Sequence, residues 1–205
     1  MSRDAGSALS LLTYGVASRP LPGEHVSGDA FVVAPFSHGV LVGVVDGLGH
    51  GTAAAQASAA AVEFLETHAA DDPASLVQGC HQQLTGTRGA VMTLASFNAT
   101  TATMTWIGIG NVEGVLISDD QRSTRVVQRA GVIGVRANLP SLRNADLEIA
   151  GNETLILATD GISARFTNGL LIQLPPQELA DTILDRAAKN NDDALVFVAR
   201  WTGEP

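Results

Sequence analysis

Apolar residues along this chain fall into short runs, most of them four to nine residues long and rich in Val, Ile, Leu, Thr and aromatics. LSLLTYGVAS (9–18), DAFVVAPF (29–36), GVLVGVVD (39–46), GAVMTLASFN (89–98) and TATMTWIGIG (101–110) read as strands, as do VEGVLISD (112–119), TRVVQRA (124–130), ADLEIA (145–150), TLILATD (154–160) and DALVFVAR (193–200). Gly, Asn, Asp, Ser and Pro punctuate them. Helical spacing replaces this rhythm in two places. One is Thr52 to His68, continued more loosely by PASLVQGCHQQL (73–84); the other is residues 175–190, where Leu179, Ile183 and Ala187 recur every fourth residue. The latter opens on Pro with acidic residues in its early turns, as helix N-termini prefer. Sequential strands joined by short turns imply antiparallel pairing, and the helices must then cover sheet faces. The expected fold is α+β: two antiparallel β-sheets packed as a sandwich with helices over the outer faces.

Composition narrows the classes of function. With 205 residues, 21.2 kDa and 45% hydrophobic content, the chain suits a single domain, 1–205, with a sizeable core. A net charge of -9 and a pI near 4.8 exclude a nucleic-acid surface, which needs a basic face to neutralise phosphates. Cys80 is the only cysteine, so no internal disulfide forms. The opening MSRDAGSALS has no charged n-region or apolar core of a signal peptide, and no apolar run approaches the roughly 20 residues that span a bilayer. A cytoplasmic monomer, off the membrane, is expected.

The aspartates carry the chemistry. Asp29 enters one strand and Asp46 leaves the next, with PFSHG as the turn between them, so a hairpin sets the two side by side. The arrangement recurs where Asp160 leaves TLILATD and Asp192 and Asp193 enter ALVFVAR. If those strands are antiparallel neighbours, four or five carboxylates share one sheet rim. Like charges that close raise each other's pKa, and a divalent cation removes the penalty. Magnesium and manganese favour such oxygen donors and retain several waters.

GDAF (28–31), VVDGLGHG (44–51), ATDGI (158–162) and DDALVFV (192–198), in this order and spacing, resemble the PPM-type (type 2C) metal-dependent serine/threonine phosphatases in their compact bacterial SpoIIE-like branch. The match spans nearly the whole chain. GNVEG (110–114) and GVIG (131–134) look most like the feedback phosphatases of the stressosome. The resemblance implies two divalent cations, manganese or magnesium. Asp46 would bridge them and the Gly47 carbonyl would ligate the second, a side chain at Gly47 crowding the ion. Asp160 and Asp192 would hold the first. Asp29 would act through coordinated waters or the second ion, and Asp193, where relatives often carry Asn or Asp, would be a further metal ligand. Asp46, Asp160 and Asp192 would then be catalytic through a metal-activated water that attacks phosphorus in line. The implied substrates are phosphorylated STAS-domain proteins of the stressosome, of the RsbS and RsbR type. A phosphorylated anti-anti-sigma factor is the alternative substrate, and a non-catalytic interaction module on the same fold the alternative role.

Rival readings are weaker. Gly47, Gly49 and Gly51 imitate a dinucleotide fingerprint, but that motif needs a βαβ unit and an acidic residue ending its second strand, whereas Glu63 and Glu66 lie inside the predicted helix. Asp46 would also meet a pyrophosphate with the wrong charge. His50 could donate a proton to the leaving oxygen, since histidine titrates near neutrality; a helix-start residue is favoured, because Leu48 displaces it from the position such a histidine takes in larger relatives. Arg19 could contact phosphate or lie solvated beside its prolines. His25, His38, His68 and His81 lack metal-ligand spacing and are expected at the surface. Cys80, Trp106 and Trp201 are expected in the core or at its margin, and Asn111 in a turn that could line the site.

Overall fold

The computed structural model describes residues 11–135 and 139–202. Sheet I runs β1 (Leu12–Arg19), β11 (Ala194–Trp201), β10 (Thr154–Ala158), β6 (Glu113–Ile117) and β7 (Ser123–Arg125). Sheet II runs β2 (Asp29–Phe36), β3 (Gly39–Gly47), β4 (Ala90–Asn98), β5 (Thr103–Ile109) and β8 (Gln128–Arg129), with β9 (Ala145–Glu148) also pairing β5. Helices α1 (Thr52–Thr67) and α2 (Pro73–Gln83) lie on the outer face of sheet II, and α3 (Pro176–Ala187) on that of sheet I. This is the expected α+β sandwich.

Strand period builds the layers. Val40, Val42 and Val44 of β3 enter the core between the sheets with Phe97, Trp106, Leu155, Leu157, Phe197 and Trp201. Their alternates Leu41 and Val45 face the helices with Ala61, Leu65, Leu76 and Cys80. On sheet I the alternation sends Ile156, Val196 and Val198 toward Leu179, Ala180 and Ile183 of α3. A strand covered on both faces shows a continuous apolar run, which is why GVLVGVV has no polar position. Each such fully buried Val or Leu stabilises the fold by roughly 1.5–3 kcal/mol. Helix α1 instead buries Ala54, Ala57 and Ala61, and so lies close to the sheet. Asp72 caps α2, accepting from the Ala74 and Ser75 amides.

One expected strand is not continuous. Around TRVVQRA, Ser123–Arg125 pairs with β6 in sheet I while Gln128–Arg129 pairs, in parallel, with β5 in sheet II. Val126 anchors the crossing in the inter-sheet core and Val127 is 73% exposed, so the apolar pair marks a change of sheet. Among the described residues no helix is long and apolar enough to cross a membrane.

Candidate metal centre

The strand alternation that fills the core also aims the aspartates. Asp46 lies two residues beyond Val44, on the inter-sheet face, and Asp29 stands directly opposite it in the β2–β3 ladder. From sheet I, Thr159 extends the alternation of Leu155 and Leu157, and its hydroxyl donates to Asp29 Oδ2 at 2.8 Å. Strands β10 and β11 are antiparallel with Ala158 opposite Val196, which brings Asp160 and Asp192 to the same rim. Asp46, Asp160 and Asp192 line one depression of about 380 Å³, with Leu48, Val91 and Val132 as an apolar wall.

Burial and mutual repulsion shift the pKa values of these groups upward. Burial, reinforced by Asp29, Asp160, Asp192 and Asp193, raises Asp46 from the ordinary 3.8 to about 8. Asp29 is raised to about 7, chiefly by burial; the Thr159 hydrogen bond opposes the shift, and Asp193, Asp192 and Asp160 add to it. Asp160 is raised by burial and by Asp192, against the opposing charge of Lys189. A protein at neutral pH therefore holds protons here that a divalent cation would displace.

The two neighbouring aspartates part company. Asp193 is 3% exposed, and its two oxygens accept from the Leu21 and Gly28 amides, each at 2.7 Å. Asp192 is half-buried on the depression, where its Oδ1 accepts from the Asp193 amide at 2.9 Å. Asn111 does line the site, donating from Nδ2 to Asp160 Oδ2 at 2.7 Å. Lys189 donates to the Asp160 carbonyl oxygen at 2.6 Å. Thr159 and Lys189 were missed in the sequence, although Lys189 is the chain's only lysine and lies three residues before Asp192.

Gly47 is also constrained by the helix that follows it. A Cβ there would stand 2.2 Å from the Ala54 carbonyl oxygen, so the small face of α1 dictates the glycine. Gly49 and Gly51 adopt φ of 87° and 72°, the left-handed region that lets the chain turn sharply from β3 into α1.

His50 points at Glu24, Nδ1 to Oε1 2.6 Å, in an exposed pair. Arg19 is engaged: its guanidinium donates to the Lys189 carbonyl at 2.8 Å and to Asn190 Oδ1 at 3.2 Å. His25, His38 and His68 are exposed; His81 is half-buried and accepts from the Gly134 amide at 3.1 Å. Cys80, Trp106 and Trp201 are core, and burial pushes the Cys80 thiol up to about 12.

The donor set fits a hard divalent cation: all oxygen, crowded and protonated for want of countercharge. Among the described residues no three carboxylate, imidazole or thiol side chains close around a single point as a finished cage. Magnesium-type sites need only one or two carboxylates and keep their waters.

A family model described as Stage II sporulation protein E (SpoIIE) matches residues 37–202, well over half of the chain. The chain belongs to the SpoIIE family. It is 27% identical over 141 residues to phosphoserine phosphatase RsbX of Bacillus subtilis (strain 168), covering 69% of this chain and 70% of RsbX. A chain from a structure described as the bacterial stressosome, a modular system adapted to control secondary messenger signaling, superposes with a TM-score of 0.82 at 28% identity, covering 92% of this chain and 99% of that one. RsbX in complex with magnesium superposes with a TM-score of 0.82 at 22% identity, covering 93% and 96%. In this SpoIIE-family chain, three of the four motifs that carried the resemblance supply residues to this depression, and the fourth sets Asp29 opposite Asp46 in the β2–β3 ladder.

Proposed function

We propose that this protein is a manganese- or magnesium-dependent phosphatase for phosphoserine and phosphothreonine, acting in the cytoplasm on phosphorylated STAS-domain proteins of the stressosome as negative feedback in stress signalling. The observation that carries the chemistry is the meeting of Asp29 and Asp46 from sheet II with Asp160 and Asp192 from sheet I at one rim. Asp46, central to the repulsion, would hold the cations together with the Gly47 carbonyl, Asp160 and Asp192. Bound cations supply a water acidic enough to attack phosphorus near neutral pH and a clamp for the phosphoryl oxygens. Asn111 fixes the Asp160 carboxylate, Thr159 fixes that of Asp29, and the Asp193 carboxylate ties Leu21 and Gly28 to the start of β11. Asp193 thus serves as a brace beside the ligands, while Leu48, Val91 and Val132 give the residue carrying the phosphate an apolar wall.

The substrate class follows from what surrounds the depression and from the likeness to RsbX. Between Asp160 and α3 the chain makes turns and one bridge, Ile162 to Ala188, with Leu171 67% exposed, so no long flap from this segment grips an extended peptide. Discrimination then falls to a folded partner that presents its phosphorylated loop to an open rim. An acidic surface adds no general attraction for phosphoproteins, so shape and local contacts must discriminate. The test compares kcat/KM on an intact phosphorylated RsbS- or RsbR-type protein with that on a phosphopeptide of the same local sequence. The folded protein should be favoured by at least about tenfold, ~1.4 kcal/mol in the transition state. Equal rates would refute recognition of a folded partner, and preference for a phosphorylated anti-anti-sigma factor would reassign the substrate.

A further inference from the structure

A dianionic phosphate approaching this rim meets carboxylates first, so a cationic side chain should receive it. The obvious candidates are already engaged. Arg19 holds the Lys189 carbonyl and Asn190, Lys189 holds the Asp160 carbonyl, and Arg186 reaches the Asn168 and Gly169 carbonyls. Arg165 lines a different depression beside Phe166 and Ile183. Arg88 differs from all of these. It is exposed and makes no hydrogen bond or ion pair with any described residue, although the chain carries 21 acidic side chains. Its position is nonetheless defined by its surroundings. A Cβ on Gly49 would stand 2.7 Å from a terminal guanidinium nitrogen of Arg88, so the guanidinium lies over the backbone of the turn after Asp46. Gly49 itself lines the carboxylate depression, and the Leu48 amide donates to the Gly89 carbonyl at 3.0 Å, which ties the base of Arg88 to that turn.

We propose that Arg88 is the phosphate-receiving residue of this site, its guanidinium binding the nonbridging oxygens of the substrate phosphoryl group at the rim formed by Gly49. The planar fork of a guanidinium matches two phosphate oxygens, a geometry an ammonium cannot reproduce. Gly49 leaves the space in which the fork lies. Unlike Arg19, Arg88 need not break an existing bond to accept an anion. This inference rests on the phosphatase reading above.

The test uses the full chain loaded with manganese, with para-nitrophenyl phosphate as substrate and inorganic phosphate as ligand, for wild type, Arg88→Ala and Arg88→Lys. Arg143→Ala removes the same charge from the loop before β9 and serves as the control. Arg88→Ala should weaken phosphate binding, read by calorimetry and as the inhibition constant, by about tenfold or more, as expected for loss of a charge-assisted bidentate contact. It should raise KM for the ester while leaving manganese affinity and thermal stability at the wild-type level. Arg88→Lys should restore part of the phosphate affinity, and Arg143→Ala should match wild type. Unchanged phosphate affinity in Arg88→Ala, or an equal loss in Arg143→Ala, would overturn the assignment; so would loss of manganese affinity in Arg88→Ala, which would make Arg88 a support of the metal centre. A wild-type protein with no manganese-dependent hydrolysis would instead refute the phosphatase reading and this inference with it.

Discussion

The hairpin β2–β3 and the strand pair β10–β11 deliver the same chemistry to the same rim and leave it in different electrostatic states. Asp29 and Asp46 face each other with no basic side chain in ion-pair contact among the described residues, and they hold protons up to about pH 7 and about 8. Asp160 accepts from Asn111 much as Asp29 accepts from Thr159, but it alone also feels the opposing charge of a nearby lysine, Lys189. Sheet I therefore compensates part of its own charge, whereas sheet II leaves its pair to be neutralised by protons or by a cation. On the proposed reading, the cation requirement is concentrated in the hairpin.

The largest effect should come from Asp46→Asn, which removes the residue at the centre of that imbalance. Manganese-stimulated turnover should fall by about a thousandfold or more, on the order of 4 kcal/mol in the barrier; a variant that keeps most of its turnover would contradict the assignment. Asp160→Asn and Asp192→Asn should lower turnover by about a hundredfold, because they too are proposed ligands. Asp193→Asn separates ligand from brace. An amide NH2 cannot accept from a backbone N–H, so one of the bonds to Leu21 and Gly28 is lost, at about 1–3 kcal/mol. The melting temperature should drop by several degrees while turnover below it falls less than in Asp192→Asn. Equal losses of turnover at the two positions would erase the distinction.

A smaller effect is expected in the metal-free protein. Asp29 and Asp46 have folded-state pKa values above the ordinary 3.8, so the fold binds protons that the unfolded chain releases. Their stabilising contribution is complete below pH 3.8 and is lost as pH rises through about 7 to 8. Between pH 5 and 8.5 the melting temperature should fall in a chelator, and manganese should raise it more at pH 8 than at pH 6. A manganese increment independent of pH would place the cation away from the hairpin. The smallest effect should be that of His50→Ala. Its exposed pair with Glu24 contributes at most about 1 kcal/mol, and the pH profile of turnover should keep its shape. Disappearance of a titration near neutrality would make His50 a proton donor.

Much of this was legible in the chain because two-residue strand alternation is a strong signal when both faces are buried. GVLVGVVDG shows the layer order, the hairpin and the end at which Asp46 emerges. TRVVQRA misled because an apolar pair flanked by short pairing segments has the composition of a strand, and only the two sheets' separate registers break it. Asp192 and Asp193 have identical side chains. The backbone amides of Leu21 and Gly28, some 165 residues or more away in sequence, decide which is buried. Arg88 gave no signal for the same reason, since its relation to Gly49 exists only after β3 and β4 pair.

On this reading, the Asp29–Asp46 pair exchanges protons for a divalent cation. Calorimetric titration of the metal-free protein with manganese, repeated in buffers of different ionisation enthalpy, measures that exchange directly. Wild type should release protons on binding at pH 6.5 and fewer at pH 8.5, and Asp46→Asn should bind at least tenfold more weakly, ~1.4 kcal/mol. Binding without proton release at pH 6.5, or wild-type affinity in Asp46→Asn, would contradict it.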